Sequence, residues 1–303
     1  MTTQFPRTFA TLLAAPCVLA GSLAQAGHAD EWGPQQLVIT GAGCPIESPD
    51  GLSLFIASGR SGGVGDLDIW TLDRLGLDQP WGVPQNMPEP VNSTAQDFCP
   101  TPLGRSLFFV STRQGSETCG SGNGDIYLTR QNPATGEWRQ PTHLPCAPNG
   151  PNTVGTERSP SLVETWYGTF LFFSTDGGVM GADDIFVSKL GADGTFGPGW
   201  PVKAVNSDVM DQMPTVVSYD NGTFEMTFNS NRTSWGPGGR GTVEGGQDVY
   251  SAKAIFLPFW WSSPRNLGKN VNTPANETRA TISADGKRLY VGRGDVFVSE
   301  RQR

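Results

Sequence analysis

The chain has 303 residues, 37% hydrophobic and 17% charged, with 39 glycines and 24 prolines. Breakers at about a fifth of the sequence, against a usual ~12%, exclude a helical bundle or coiled coil, while 10% aromatic residues argue for a packed core. A formal net charge of −8 with no Lys/Arg-rich run leaves no electrostatic footprint for nucleic acid.

Residues 1–26 read as an export signal. Arg7 is the positive start, Leu12 to Leu23 is mostly apolar, and Ala24-Gln25-Ala26 is the cleavage motif. The apolar stretch is broken by Pro16 and too short to span a bilayer. A periplasmic or secreted protein, cleaved after Ala26 and not membrane-spanning, is expected. Cys17 leaves with the signal, and Cys44, Cys99, Cys119 and Cys146 remain. In an oxidising compartment four cysteines suggest two disulfides. The competing zinc site lacks a C-x-x-C pair and has only His28 and His143 to draw on.

From there on the chain repeats itself. A Gly-rich turn followed by Asp, a β-branched residue and an aromatic occurs as Asp68-Ile69-Trp70, Asp125-Ile126-Tyr127, Asp184-Ile185-Phe186, Asp248-Val249-Tyr250 and Asp295-Val296-Phe297. Each copy is preceded by an apolar strand, from Leu54-Phe55-Ile56 to Leu289-Tyr290-Val291, and upstream by a polar turn such as Ser48-Pro49-Asp50-Gly51. A Trp or Phe near Pro and then a Val-Asn step (Val91-Asn92, Val205-Asn206, Val271-Asn272) follow. Four short strands per unit predict an all-β, five-bladed β-propeller of four-stranded antiparallel blades. The expected blades are roughly 38–90, 91–150, 151–204, 205–270 and 271–303, in one domain spanning 27–303. The fifth unit stops after its third strand, and its missing piece lies at the other end, in Glu31-Trp32-Gly33-Pro34-Gln35-Gln36-Leu37. Segment 31–37 is therefore expected to complete the last blade and close the ring.

Superposing the units on Pro45, Pro100, Pro160, Pro214 and Ala280 sets Ala42, Asp97, Glu157, Asp211 and Glu277 at one position. Four carboxylates are then expected at one rim of the channel, with Arg158, Gln212 and Arg279 beside them, as tentative ligand-binding residues. Oxygen ligands of this kind suit a hard cation, so Ca²⁺ is a candidate there; the leading expectation is a purely structural role that holds blade against blade. Asp68, Asp125, Asp184, Asp248 and Asp295 are expected to accept turn amides. Arg60 is expected to pair with Asp68, Arg113 with Asp125, Arg232 with Asp248 and Arg293 with Asp295, as architecture. The superposition also makes Cys44 and Cys99 equivalent residues on adjacent blades, within disulfide reach, leaving Cys119 with Cys146.

Ser48-Pro49-Asp50-Gly51, Arg60-Ser61-Gly62-Gly63-Val64-Gly65 and Asp68-Ile69-Trp70 together resemble the TolB-like, WD-related propeller repeat. Asp176 departs from it, standing where an Arg is expected. The resemblance implies an exported, protein-binding scaffold. The sequence holds no G-x-S-x-G, H-E-x-x-H or G-x-x-x-x-G-K, and neither histidine looks poised as a base. The expected function is non-enzymatic recognition of an envelope or extracellular protein, with no catalytic residue assigned. The alternative is a carbohydrate-binding or glycoside-cleaving propeller that uses the channel carboxylates. Trp166 and Trp235 are candidates for stacking on a sugar or gripping a partner, though core packing or loop anchoring is the expected role.

Overall fold

The computed structural model describes residues 31–115, 118–120, 123–177, 182–233 and 243–302. Residues 1–26, read above as an export signal, and His28 and Trp235 lie outside them. The first strand, β1 (Gln36–Ile39), belongs to the last blade. Blade one is β2 (Gly43–Glu47), β3 (Ser53–Ser58), β4 (Asp68–Asp73) and β5 (Gln85–Asn86). Blade two is β6 (Asp97–Leu103), β7 (Ser106–Ser111), β8 (Asp125–Arg130) and β9 (Thr142–His143). Blade three is β10 (Glu157–Thr165), β11 (Gly168–Thr175), β12 (Asp184–Lys189) and β13 (Trp200–Pro201). In blade four, β14 (Asp211–Ser218), β15 (Phe224–Ser230) and β16 (Asp248–Phe256) are followed by two short segments on β16, β17 (Trp260–Trp261) and β18 (Arg265–Asn266). Blade five is β19 (Ala280–Ile282), β20 (Arg288–Gly292), β21 (Val296–Glu300) and then β1. This is the five-bladed propeller the repeats predict.

The ring closes where expected. Gln36 and Leu37 pair with Val298 and Phe297, and Trp32 bridges to Arg301. Trp32 is fully buried with Val249, Leu267 and Val271 of blade four and Leu289 of blade five. The second strand of each blade is apolar on both faces because both faces are covered by neighbouring blades. Leu54, Phe109, Phe172, Phe228 and Leu289 are fully buried. The five apolar clusters accordingly lie in the five seams between blades rather than inside any one of them. The Val-Asn step ties successive blades together. Asn92 accepts from the Ile69 N–H and donates to its carbonyl, both at 2.9 Å. Asn152, Asn206 and Asn272 clamp Ile126, Ile185 and Val249 in the same way.

The axis is built by four bulges. The register of first and second strands shifts between Gly43 and Ile46, Phe98 and Thr101, Arg158 and Ser161, and Gln212 and Thr215. Each bulge holds a non-glycine residue in the left-handed region, Cys44, Cys99, Ser159 and Met213, at φ of 47°, 49°, 49° and 56°. A bulge re-aims the side chain it carries, and these four make contacts across the blades. The Cys44–Cys99 disulfide joins blades one and two, and Ser159 Oγ lies 3.6 Å from Cys99 Sγ. Thr101 Oγ1 bonds the Pro160 carbonyl, Thr215 Oγ1 that of Ala280, and Thr281 Oγ1 that of Pro45. The second disulfide joins Cys119 to Cys146 within blade two, so both pairs are those the superposition indicates. Two cystines suit an oxidising compartment. No helix among the described residues is long and apolar enough to cross a membrane.

Trp32→Ala is expected to cost ~3–5 kcal/mol, the usual range for a buried aromatic. A denaturant titration checks this; an unchanged midpoint would mean that the closing segment contributes nothing.

Candidate active site

Four of the repeat aspartates accept backbone N–H groups, and the arginines bond elsewhere than expected. Asp68 accepts from the N–H groups of Val64 and Gly65 and from Asn86, and Asp248 from those of Glu244 and Gly245 and from Asn266. Asp125 accepts from the Cys119 N–H and meets His143 Nε2 at 2.9 Å. Asp295 accepts from the Gly41 N–H. None of these four pairs with the arginine assigned to it. Arg113 instead reaches Asp97 at 2.6 Å, Arg232 reaches Asp211, and Arg293 reaches Glu277 at 3.1 Å. In blade one the equivalent position is Ala42, and Arg60 turns to the Thr40 carbonyl and Ser58 Oγ. The pairing follows the fold: each arginine, just past the second strand, faces the start of the first strand beside it.

The four superposed carboxylates are also turned away from solvent, and none of them is exposed. Asp97 accepts from the Ser93 N–H and hydroxyl, both at 2.7 Å, and Asp211 from those of Ser207, both at 2.6 Å. Glu277 accepts from Thr273 at 3.1 and 2.6 Å and Glu157 from Thr153 at 3.0 and 2.6 Å. Each carboxylate thus closes the loop that enters its own blade. Oxygen ligands for Ca²⁺ must converge in number. The one close group of three or more ligand-type side chains found among the described residues is Cys119, His143 and Cys146, whose two sulfurs are joined.

Glu157 differs from the other three. By register Gly177, not Asp176 as the repeat motif suggests, holds the arginine place of this blade, since Thr175 pairs with Asp184 as Ser111 does with Asp125 and Ser230 with Asp248. Glu157 Oε2 meets no donor among the described residues. Glu277 also leaves Oε2 unmet but has Arg293 on Oε1. Burial pushes the Glu157 carboxyl up to about 8, against the hydrogen bonds from Thr153, so it is protonated at neutral pH. Beside it, Arg158 spans two further acids. Its Nη1 lies 2.5 Å from Asp183 Oδ1 and its Nη2 3.5 Å from Asp176 Oδ2. The Asp176 side chain is 40% exposed and that of Asp183 only 7%. Burial raises the Asp183 carboxyl, Arg158 opposes this, and the Asp176 charge adds to the rise. In blade four the same two places hold an uncharged pair, Gln212 and Gln247, at 3.2 Å.

Arg158 and Gln212 occupy one position of their strands, whereas Arg279 occupies the next, the place of the bulge residues. Arg279 is fully buried and crosses to blades two and three. Nη1 donates to the Pro100 carbonyl at 2.6 Å, and Nη2 donates to Thr101 Oγ1 at 2.6 Å and to the Pro160 carbonyl at 3.2 Å. Burial lowers its guanidinium to about 9. It is a plug across the axis, separate from the Arg158 cluster. Below it, a cavity of about 340 Å³ opens at the far end, lined among others by Thr101, Ser161, Thr215 and Thr281. Trp166 is 92% exposed and so not a core residue; it meets Tyr167 edge-on at the β10–β11 turn. Asp183 escaped the sequence reading although it directly precedes a repeat aspartate, Asp184; that doublet was its only signal.

No family model and no curated protein matches this chain. Several solved structures match in fold. The catalytic domain of the Coprinopsis cinerea GH62 α-L-arabinofuranosidase is 12% identical, with 90% of this chain and 97% of that one covered and a TM-score of 0.58. An endo-arabinase from Bacteroides thetaiotaomicron is 10% identical, with 88% and 95% covered and a TM-score of 0.55. A GH43 endo-arabinanase from Bacillus licheniformis is 14% identical, with 88% and 94% covered and a TM-score of 0.52. At such identities the likeness shows the five-bladed fold alone. The TolB-like assignment is not supported. The expectation of a non-enzymatic, protein-recognising scaffold is corrected by these neighbours, which are glycoside hydrolases by name.

The Glu157 carboxyl carries a pH signature. The folded protein keeps its proton up to about 8, whereas the unfolded chain loses it near the ordinary 4.5. Its contribution to stability is complete below the lower value and declines as pH rises through the upper one. Glu157→Gln is expected to flatten this decline, measured by denaturant titrations at about pH 5, 7 and 9. A wild-type slope retained in the variant would refute the assignment.

Proposed function

We propose that the protein is a glycoside-cleaving propeller whose reacting carboxyls are Asp183 and Asp176, at the loop-rich end of blade three. The observation that carries this reading is their attachment to one guanidinium, Arg158, in the blade that lacks the neutralising arginine found elsewhere. Glycoside hydrolysis uses two carboxyl groups in unequal environments, one holding a proton and one ionised. Asp183, buried and raised, suits the acid that protonates the departing glycosidic oxygen. Asp176, partly exposed, suits the base that takes a proton from the attacking water. The water oxygen bonds to the anomeric carbon as the glycosidic bond breaks, so both protons are accounted for. Arg158 holds the two carboxyls apart, and protonated Glu157 adds no second negative charge beside them.

The substrate class to try first comes from the fold neighbours, named as arabinanases and arabinofuranosidases. A glycan partner fits the site better than a protein one.

Linear arabinan and aryl α-L-arabinofuranosides are the test substrates. Asp183→Asn and Asp176→Asn are each expected to lower kcat/KM by about 10²–10⁴, the usual worth of general acid–base catalysis, with melting unchanged. Turnover that survives both substitutions would remove the site. Binding without turnover on a wider panel of furanosides and pyranosides would reduce the protein to a glycan-binding propeller.

A further inference from the structure

Several of the exposed large apolar side chains gather on two neighbouring hairpins at the end of the ring opposite Arg158. Trp166, at the β10–β11 turn, is 92% exposed, and Ile255, Phe256, Phe259 and Trp260, around the β16–β17 turn, are exposed as well. The two turns are one unit. The Tyr167 ring stacks on Phe256 at 4.7 Å, Trp166 meets Tyr167 edge-on at 5.1 Å, and the Leu257 N–H donates to Tyr167 Oη at 2.9 Å. From Ala254 to Trp261 the only polar side-chain groups are the two indole N–H groups, and that of Trp261 is used up on the Pro258 carbonyl at 2.8 Å. Charge surrounds this tip in a particular way. The chain has five lysines. Lys203 shares a cleft with Pro258 and Phe259 and Lys189 lies over Phe170 at 5.6 Å, whereas Lys253, which precedes the tip on β16, has its Nζ 3.8 Å from Glu31. The exposed acid on β10, Glu164, lines the cavity at the lower mouth of the channel.

We infer that these two hairpins dock the protein on an anionic lipid surface. A contiguous apolar patch with a polar rim marks an interaction site. Aromatic rings favour the level of lipid headgroups, and lysines beside them complement anionic lipid. A sugar-stacking platform pairs its rings with polar side chains that fix the hydroxyls, and the 254–261 tip offers only the Trp260 indole N–H. The docked orientation follows from the strand. β10 begins at Glu157 and ends at Thr165, so at about 3.3 Å per residue the acid cluster sits roughly 25 Å above the docking turns. The Arg158 end then faces away from the membrane. This inference stands independently of the proposed hydrolysis.

The experiment is co-sedimentation of the full-length exported chain with vesicles of phosphatidylcholine alone or mixed with phosphatidylglycerol, read together with tryptophan emission. Wild type is expected to partition onto the mixed vesicles with a blue-shifted emission. Phe259→Ser with Trp260→Ser should weaken partitioning at least tenfold, and Lys189→Gln with Lys203→Gln several-fold, with melting unchanged. Trp166→Ser, on the other turn, provides a second reading should the double variant misfold. Wild type remaining in the supernatant would overturn the inference, as would vesicle binding indifferent to all these changes. Retention by insoluble glycan that these substitutions abolish, without vesicle binding, would assign the patch to a sugar. A dimer that they dissociate would assign it to a second copy.

Discussion

Sheet edges in a ring of blades stay open until the two ends of the chain meet, and here β1 makes that meeting by pairing with β21. Its neighbour Trp32 is buried between blades four and five, so the closing contact joins a hydrogen-bonded edge to an apolar seam. All five seams depend on this geometry, because each apolar cluster needs two blades to enclose it. Towards the axis the same requirement appears in polar form. Threonine hydroxyls of the inner strands bond carbonyls of the adjacent blade, and Arg279 reaches from blade five to blades two and three. A buried guanidinium bonded to two carbonyls and a hydroxyl, with no carboxylate against it among the described residues, keeps the channel from being an open pore. The molecule presents two separate mouths.

Against this regular background one blade breaks the pattern. Where the first strand opens with an acid and the second closes with an arginine, the two neutralise each other and close a loop, as in blades two, four and five. Blade one removes the acid and leaves the arginine on the Thr40 carbonyl and the Ser58 hydroxyl. Blade three has Gly177 in the arginine's place and adds Arg158, Asp176 and Asp183 nearby. Asp176 Oδ1 accepts the Thr156 N–H as Asn231 accepts that of Met210, which is architecture. The charged pairing of Arg158 with Asp183 and Asp176, however, stands where blade four has the neutral Gln212 and Gln247. Fold neighbours agree with an enzymatic reading but do not specify it, since one fold serves many chemistries.

Much of the architecture was legible because the signals are local. Apolar triplets, the Asp-Ile/Val-aromatic step and Ser48-Pro49-Asp50-Gly51 turns each specify a strand or a turn within a few residues. The superposition on Pro45, Pro100, Pro160 and Pro214 located both cystines. What it missed depends on distant parts of the chain. Arg113 is closer in sequence to Asp125 than to Asp97, yet strand pairing brings it to Asp97. Arg158 and Arg279, expected as one set, fill different places because Arg158 follows Glu157 directly whereas Arg279 stands two residues after Glu277, level with Ser159. Asp183 was concealed by the repeat aspartate that follows it. The TolB-like resemblance rested on turn and strand motifs that any such ring requires, so it carried architecture and no activity.

The central claim is that chemistry resides where the repeat is broken, at the Arg158 end of blade three. A crystal structure of the Asp183→Asn variant soaked with an arabino-oligosaccharide tests it most directly. The account predicts a sugar ring within hydrogen-bonding distance of Asp176 at that mouth. A sugar bound instead in the cavity beyond Arg279, or on the outer strands with the Asp176 mouth empty, would contradict it.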